Sequence, residues 1–155
     1  MELKTPRATI RFLLAEDNDD HALLTELALR DAQGELANDV QVDVVSDGEE
    51  ALRWLRREGE HVGAPRPDLV LLDINMPGMS GLETLEAIKA DPALTMTPVI
   101  MLTTSAAERD IVAGYSLGAN EYVTKPVTAA EFRSKLQAIP TYWTNVVARL
   151  PSSTE

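Results

Sequence analysis

Cysteine, long apolar runs and an excess of positive charge are all missing from this 155-residue chain. The lack of cysteine excludes disulfide scaffolds, thiolate metal sites and cysteine nucleophiles. The longest apolar runs, residues 69–72 and 99–102, are four residues long, whereas a membrane-spanning helix needs about 20. The amino-terminal residues include no apolar stretch of signal-peptide length. We therefore expect a cytoplasmic protein with no membrane partner.

Acidic residues dominate the charge of the chain. It contains 14 Lys and Arg against 25 Asp and Glu, which gives a net charge of −11. A field of this sign repels a phosphate backbone, so we expect no nucleic-acid partner. The length fits one domain, which can bury roughly two thirds of its unfolded surface without disulfides or a structural metal.

Short apolar runs alternate with longer segments of helical period, a pattern typical of an α/β fold with a parallel sheet covered on both faces. The predicted strands are residues 10–15, 40–45, 68–73, 98–103 and 120–124. Four of the five predicted helices begin with Ser or Thr followed three residues later by Glu, a capping box. These pairs are Ser46 and Glu49, Ser80 and Glu83, Ser105 and Glu108, and Thr128 and Glu131. The first helix has Asn18, Asp19 and Asp20 at its start instead, and residues 32–39 and 59–67 are predicted to be loose surface connections.

Polar residues stand where the predicted strands end. They are Glu16 and Asp17 after the first strand, Asp73 on the third, Thr103 on the fourth, and Thr124 and Lys125 on the fifth. The carboxyl ends of parallel strands lie on one edge of a sheet, where open α/β folds bind their ligands. We therefore expect these side chains to share one crevice.

The acidic residues of this crevice predict a divalent cation. Three carboxylates, those of Glu16, Asp17 and Asp73, and one ammonium group, that of Lys125, leave a formal charge of −2. Neighbouring strands are about 4.8 Å apart, so the carboxylates would repel one another unless a cation bound between them. Oxygen ligands of this kind suit Mg²⁺, which keeps part of its hydration shell and shares phosphate oxygens.

Asp73 is the candidate nucleophile, because a carboxylate between a metal ion and an ammonium group can attack phosphorus and form an acyl phosphate. Thr103 and Lys125 would each contact an oxygen of the incoming phosphoryl group. A simpler interpretation is that Glu16 and Asp17 only cap the first helix and that Asp73 is a turn residue. The four partners around Asp73 favour the chemical interpretation.

Four segments together resemble the receiver domain of bacterial two-component response regulators. They are LLAEDNDD at 13–20, LVLLDINMPGMSGLE at 69–83, PVIMLTT at 98–104 and GANEYVTKP at 118–126. The resemblance implies a flavodoxin-like, doubly wound sheet of five parallel strands in the order 2-1-3-4-5, with an extended last helix. It covers nearly the whole chain, and we assign residues 8–139 to the receiver domain and 140–155 to a helical extension and tail.

The resemblance also implies roles for individual residues. Asp73 would accept a phosphoryl group from a phosphohistidine of a sensor histidine kinase, so the chain would be a signalling protein and not an enzyme. Mg²⁺ would be held by Asp17, Asp73 and the carbonyl of Asn75, with Glu16 acting through water. Thr103 and Tyr122 match the switch hydroxyl and the switch aromatic of the family, and Lys125 matches its phosphate-contacting lysine. Glu16 departs from the commoner Asp and is one methylene longer.

The last predicted helix has a heptad-like apolar stripe. Its members are Phe132, Leu136, Ile139, Trp143, Val146 and Leu150. The part beyond residue 139 extends past what the sheet can cover, so we predict a homodimer interface there, formed by Trp143, Val146 and Leu150. We assign Phe132, earlier on the same stripe, to this interface as well. Because the extension is too short for a DNA-binding module, we expect output through protein contacts. Its sequence resembles stand-alone regulators that pair with bacterial and cyanobacterial phytochromes, which would make the kinase a phytochrome.

Three other functions remain as alternatives. A Mg²⁺-dependent phosphatase with Asp73 as nucleophile would need a second acid nearby, and residue 75 is Asn75. A receiver-like binding module without phosphorylation would not need the complete set of polar residues. A flavin or nucleotide binder would need Gly, Ser or Thr after the first strand, where acidic residues would repel the phosphate.

Overall fold

One sheet of five parallel strands organises the chain, in the order β2-β1-β3-β4-β5. The computed structural model describes residues 9–31, 39–103 and 121–124, together with residues 116, 118, 130 and 134. The strands are β1 (Thr9–Ala15), β2 (Asp39–Val45), β3 (Leu69–Asp73), β4 (Val99–Thr103) and β5 (Glu121–Thr124). The predicted strands and their order are confirmed, because each predicted strand agrees with an observed one to within one residue at either end.

Three α-helices lie in the described ranges. They are α1 (Asp19–Asp31), α2 (Gly48–Arg56) and α3 (Gly81–Ala90), and a short 3₁₀ helix (Gly59–His61) follows α2. None of the helices in the described ranges is long and apolar enough to cross a membrane. The two helices predicted after Ser105 and Thr128 fall largely outside the described residues.

Successive side chains of each strand point to opposite faces of the sheet, and the apolar ones form two hydrophobic cores, one on each face. Phe12 and Leu14 of β1 are fully buried with residues of α1, including Leu29. Leu13 of β1 is buried on the opposite face with residues of α2 and α3, including Leu85. All five residues of β3 are buried, as expected for a central strand covered on both sides. The edge where β3 ends is therefore backed by a strand that is buried on both faces.

The helix starts agree with the sequence prediction at α1 and α3 and differ at α2. Asn18 caps α1 through a hydrogen bond from the His21 backbone N–H to Asn18 Oδ1 at 3.0 Å. Ser80 and Glu83 form the predicted capping box of α3, and the hydrogen bonds from Ser80 hold the pKa of Glu83 below its usual value.

The predicted capping box of Ser46 and Glu49 is wrong. Asp47 is the N-cap residue of α2, and its Oδ1 accepts a hydrogen bond from the Glu50 backbone N–H at 2.7 Å. The helix therefore begins one residue later than the box would place it. Asp and Ser are comparably good caps, so the sequence alone did not separate them.

Candidate functional site

Three carboxylates meet at the carboxyl edge of the sheet. Glu16 and Asp17 follow β1 directly, and Asp73 is the last residue of β3. One carboxylate oxygen of each residue lies within 4.8 Å of the other two. Glu16 and Asp73 are buried, with exposed fractions of 2% and 5%, whereas Asp17 is exposed. The acids that we expected to share a crevice therefore face one another, and one of them is open to solvent.

The sheet fixes the positions of these acids. In the parallel pairing of β1 with β3, Ala15 lies opposite Leu72, so Glu16 and Asp73 are the next residues on the two strands. The backbone N–H of Glu16 donates to the carbonyl of Val45 at 3.0 Å, which continues the ladder beyond the end of β1. The next N–H after Asp73, that of Ile74, donates to the carbonyl of Leu102 at 3.1 Å. Main-chain hydrogen bonds at Glu16 and at the residue after Asp73 therefore fix the backbone that carries the two acids.

Local hydrogen bonds orient the two buried carboxylates. The backbone N–H of Asn75 donates to Asp73 Oδ1 at 3.1 Å, and the backbone N–H of Asn18 donates to Glu16 Oε2 at 3.3 Å. The imidazole Nδ1 of His21 lies 4.0 Å from Glu16 Oε1. These contacts restrict both side chains, while one face of the carboxylate cluster remains open through Asp17.

Gly81 allows the end of β3 to lie against the start of α3. This role was not predicted from the sequence. A Cβ atom at this position would collide with the carbonyl oxygen of Asp73 and would lie 2.7 Å from the Cα of Ile74. The Gly81 backbone N–H donates to the carbonyl of Ile74 at 3.0 Å. Only a residue without a side chain allows this approach. The sequence shows a glycine directly after the N-cap residue Ser80, but it does not show which atoms approach that glycine.

The other predicted site residues are placed only in part. Thr103 ends β4 next to Leu102, the residue that pairs with Asp73, and Tyr122 lies on β5 opposite Met101. Asn75 is exposed and contacts Asp73 through its backbone. Some predicted residues lie outside the described part of the chain: Lys125, Phe132, Trp143, Val146 and Leu150.

The donor set of the cluster fits a hard divalent cation. All three ligand atoms are carboxylate oxygens, which is the ligand type that Mg²⁺ and Mn²⁺ prefer over nitrogen or sulfur. The exposed side of Asp17 leaves room for the waters that Mg²⁺ retains. The cluster is thus chemically suited to the cation that the sequence predicts.

The sequence profile of the response regulator receiver domain matches residues 12–137. This chain belongs to the response regulator receiver domain family. Members of that family are signalling proteins and not classical enzymes, as the motifs had implied. The matched span contains all three acids of the site, together with Thr103 and Lys125.

Individual relatives agree with this assignment. Response regulator Rcp1 of Synechocystis sp. is 36% identical over 141 residues, which cover 91% of this receiver chain and 92% of Rcp1. The crystal structure of the phosphorylated cyanobacterial phytochrome response regulator RcpA matches with a TM-score of 0.85 and 37% identity, over 93% of this chain and 100% of RcpA. The Mn²⁺-bound form of Rcp1 matches with a TM-score of 0.82 and 34% identity, over 92% of this chain and 99% of Rcp1. The predicted resemblance to phytochrome-associated response regulators is confirmed.

Proposed function

We propose that Asp73 accepts a phosphoryl group from a phosphohistidine of a sensor histidine kinase, that the reaction depends on Mg²⁺, and that the phosphorylated receiver acts through protein contacts. The observation that carries this proposal is the meeting of Glu16, Asp17 and Asp73 within 4.8 Å at the end of the sheet. Membership of the receiver family supports it. So does RcpA, a relative whose structure was determined in a phosphorylated form.

The proposed step transfers one phosphoryl group between two side chains. A carboxylate oxygen of Asp73 forms the new bond to phosphorus, and the bond between phosphorus and the donor imidazole nitrogen breaks. The imidazole nitrogen keeps the bonding electrons and is protonated, and the product on Asp73 is an acyl phosphate. The hydrogen bond from the Asn75 N–H to Oδ1 orients the carboxylate for attack.

Asp17, Asp73 and the carbonyl of Asn75 would hold Mg²⁺, with Glu16 acting through water. The ion would offset the negative charge of the phosphoryl oxygens as they approach the carboxylates. Lys125 and Thr103 are proposed to contact those oxygens, and Tyr122 is proposed to respond to the movement of Thr103. The Mn²⁺-bound form of Rcp1 supports divalent-cation binding in a close relative.

The phosphatase alternative is less well supported. Its leaving group would need a proton from a second acid near Asp73, and Asn75, which contacts Asp73 through its backbone N–H, has no acidic side chain. Glu16 and Asp17 are the other acids of the cluster, and both are assigned to the cation. Phosphoryl transfer from a phosphohistidine needs no such acid in this chain, because the imidazole of the donor can take its proton from solvent.

A small phosphodonor tests the proposed function. The chain is incubated with acetyl phosphate and Mg²⁺ and its intact mass is measured. We expect one added phosphoryl group, and none when a chelator removes the divalent cation. No mass change with Mg²⁺ present, or an equal change in chelator, would refute Mg²⁺-dependent acceptance.

An exposed apolar pair on α1, the helix that follows Asp17, is proposed to contact the kinase. Leu23 and Leu27 are one helical turn apart, and 57% and 51% of their surfaces are exposed. Helix α1 begins two residues after Asp17, so a protein that delivers a phosphoryl group to Asp73 would pass over its first turns. Exposed apolar patches of this kind mark protein contacts.

Replacement of Leu23 by Asp is expected to slow phosphoryl transfer from a phosphorylated phytochrome histidine kinase by about tenfold or more, since a central apolar contact contributes about 1.4 kcal/mol or more. Phosphorylation by acetyl phosphate should be unchanged, because Asp73 is not altered. Met96→Asp is the matched control, because Met96 is 68% exposed in the connection before β4. Equal rates for Leu23→Asp and wild type would exclude this surface.

The kinase is proposed to be a phytochrome because relatives of similar length carry that association. RcpA is described as a cyanobacterial phytochrome response regulator, and this chain covers all of it. The residues that would distinguish one kinase from another lie on exposed surfaces. In the transfer assay described for Leu23→Asp, the rate of the wild-type chain therefore also measures whether a given phytochrome is a competent donor.

The homodimer remains a proposal based on the apolar stripe that ends in Trp143, Val146 and Leu150. We expect the wild-type chain to have the mass of two copies in light scattering. Trp143→Glu should give the mass of one copy, because a buried charge without a partner opposes association. A monomeric wild type would contradict the dimer without affecting the proposed role of Asp73.

A further inference from the structure

A second group of metal-ligand side chains lies beside α2. It consists of Glu50 in the first turn of α2 and of Glu60 and His61 in the following 3₁₀ helix. One ligand atom from each residue lies within 4.8 Å of the other two. The group shares no residue with the carboxylate cluster of Asp73, and it has a different composition, because it contains an imidazole nitrogen.

The chain reverses direction after α2 and returns along the helix. Arg57 and Gly59 have positive φ angles of 55° and 58°, which produce the reversal. Trp54 lies one helical turn after Glu50, and its ring centroid is 5.1 Å from that of His61. The indole N–H of Trp54 also donates to the carbonyl of Pro65 at 3.1 Å. The three ligand residues are therefore brought together by packing that does not require a metal ion.

Among the residues that the structure describes, the His61 ring nitrogen Nε2 is buried and has no hydrogen-bond partner. His61 Nε2 is inaccessible to solvent, and only 13% of the His61 side chain is exposed. The nearest carboxylate oxygen, Glu60 Oε1, lies 3.6 Å away, beyond hydrogen-bonding distance. Such a buried polar atom costs free energy unless something binds to it, and an ion or a water can do so. The low exposure of the His61 side chain was not predicted from the sequence.

We propose that Glu50, Glu60 and His61 bind a Zn²⁺ ion. Two ligand atoms at 2.0–2.2 Å from a tetrahedral ion are about 3.4 Å apart, and the 3.6 Å between His61 Nε2 and Glu60 Oε1 is close to this value. An imidazole nitrogen with two carboxylates suits Zn²⁺ better than Mg²⁺. Glu60 is 75% exposed on its side chain, so the ion can enter from solvent and a water can complete its coordination.

Bound Zn²⁺ would link residues 59–67 to α2, because Glu60 and His61 belong to that segment and Glu50 belongs to the helix. This segment leads into β3, the strand that ends at Asp73. The ion binds only where the three ligands are already together, so it stabilises the folded chain over the unfolded one. The inference does not depend on phosphorylation of Asp73.

A Zn²⁺ competition titration tests the proposal in the full-length chain. Asp73→Asn serves as the parent, so that the carboxylate cluster is impaired, and the solution contains excess Mg²⁺ and a chromophoric Zn²⁺ chelator. We expect one Zn²⁺ per chain. His61→Ala and Glu50→Gln should each lower the affinity by about tenfold or more, since even residues that only orient ligands contribute 10–100-fold. Glu58→Gln is the matched control, because Glu58 is an exposed neighbour outside the group, and it should bind as the parent does.

Imidazole NMR signals of the unsubstituted chain provide a second measurement that does not depend on the folding of a variant. Zn²⁺ should shift the ring signals of His61 at one equivalent, in the presence of excess Mg²⁺. Unchanged His61 signals, or an affinity that is the same in His61→Ala as in the parent, would overturn the proposal. If the wild-type chain bound Zn²⁺ but gained no phosphoryl group from acetyl phosphate in the presence of Mg²⁺, only the proposed function would be refuted.

Discussion

The Asp73→Asn variant is expected to accept no phosphoryl group from acetyl phosphate and, without divalent cations, to be more stable than the wild type. An amide is not a nucleophile toward phosphorus, so the acyl phosphate cannot form. The substitution also removes one of three negative charges that lie within 4.8 Å of one another. A pair of unit charges at that separation repels by about 3 kcal/mol at an effective dielectric constant of about 20.

Hydrogen bonds to the carboxylates offset part of this repulsion, so we expect the free energy of unfolding to rise by about 1–2 kcal/mol. Urea unfolding of Asp73→Asn and of the wild type in the presence of a chelator measures this difference in the free energy of unfolding. Glu86→Gln is the matched control, because Glu86 is exposed on α3 and its neutralisation should change stability by less than about 0.5 kcal/mol. A metal-free Asp73→Asn chain less stable than the wild type would show that the carboxylates are already compensated without a cation.

Gly81→Ala is expected to lower the free energy of unfolding by about 3 kcal/mol, at the upper end of the usual cost of overpacking. The added Cβ would meet the carbonyl oxygen of Asp73 and the Cα of Ile74. Both are backbone atoms and cannot rotate away, so β3 and α3 must separate. Because the displaced atoms belong to Asp73 and its neighbour, phosphorylation by acetyl phosphate should also slow by about tenfold or more.

Gly63→Ala is the control for this variant. A Cβ at Gly63 would have no atom of the described residues within 4 Å, and Gly63 has no positive φ. Stability should therefore stay within about 1 kcal/mol of the wild type. Urea unfolding and the rate of mass gain with acetyl phosphate measure both effects. If Gly81→Ala matched Gly63→Ala in both, close contact between α3 and the end of β3 would not be needed to position Asp73.

The strands could be predicted from sequence because each is an apolar run bounded by polar residues. In β3, five consecutive buried residues end at an acid, and this contrast is local and strong. The meeting of Asp73 with Glu16 was also predictable, since both lie at the carboxyl ends of central strands and parallel strands end at one edge. The strand order itself came from the family resemblance, because periodicity does not specify which strands are neighbours.

Contacts between an element and the loop or element next to it along the chain could not be predicted. Nothing local at Gly81 indicates that its missing Cβ faces the carbonyl of Asp73. Residues 59–67 were predicted to be loose because they lack periodicity, yet Trp54 and Arg57 of the preceding helix end donate to the carbonyls of Pro65 and Ala64. Side-chain hydrogen bonds to loop carbonyls leave no repeating pattern in a sequence. The burial of His61 follows from the same contacts and was missed for the same reason.

The dependence of stability on Mg²⁺ concentration tests most directly whether the carboxylates of Glu16, Asp17 and Asp73 bind a cation. The free energy of unfolding of the wild type is measured by urea titration at increasing Mg²⁺ and constant ionic strength. Once Mg²⁺ exceeds its dissociation constant, we predict a rise of about 1.4 kcal/mol for each tenfold increase, because the ion binds only the folded chain. Asp17→Asn should remove most of this rise. A wild-type stability that does not change with Mg²⁺, or an equal rise in Asp17→Asn, would contradict the proposed cation site.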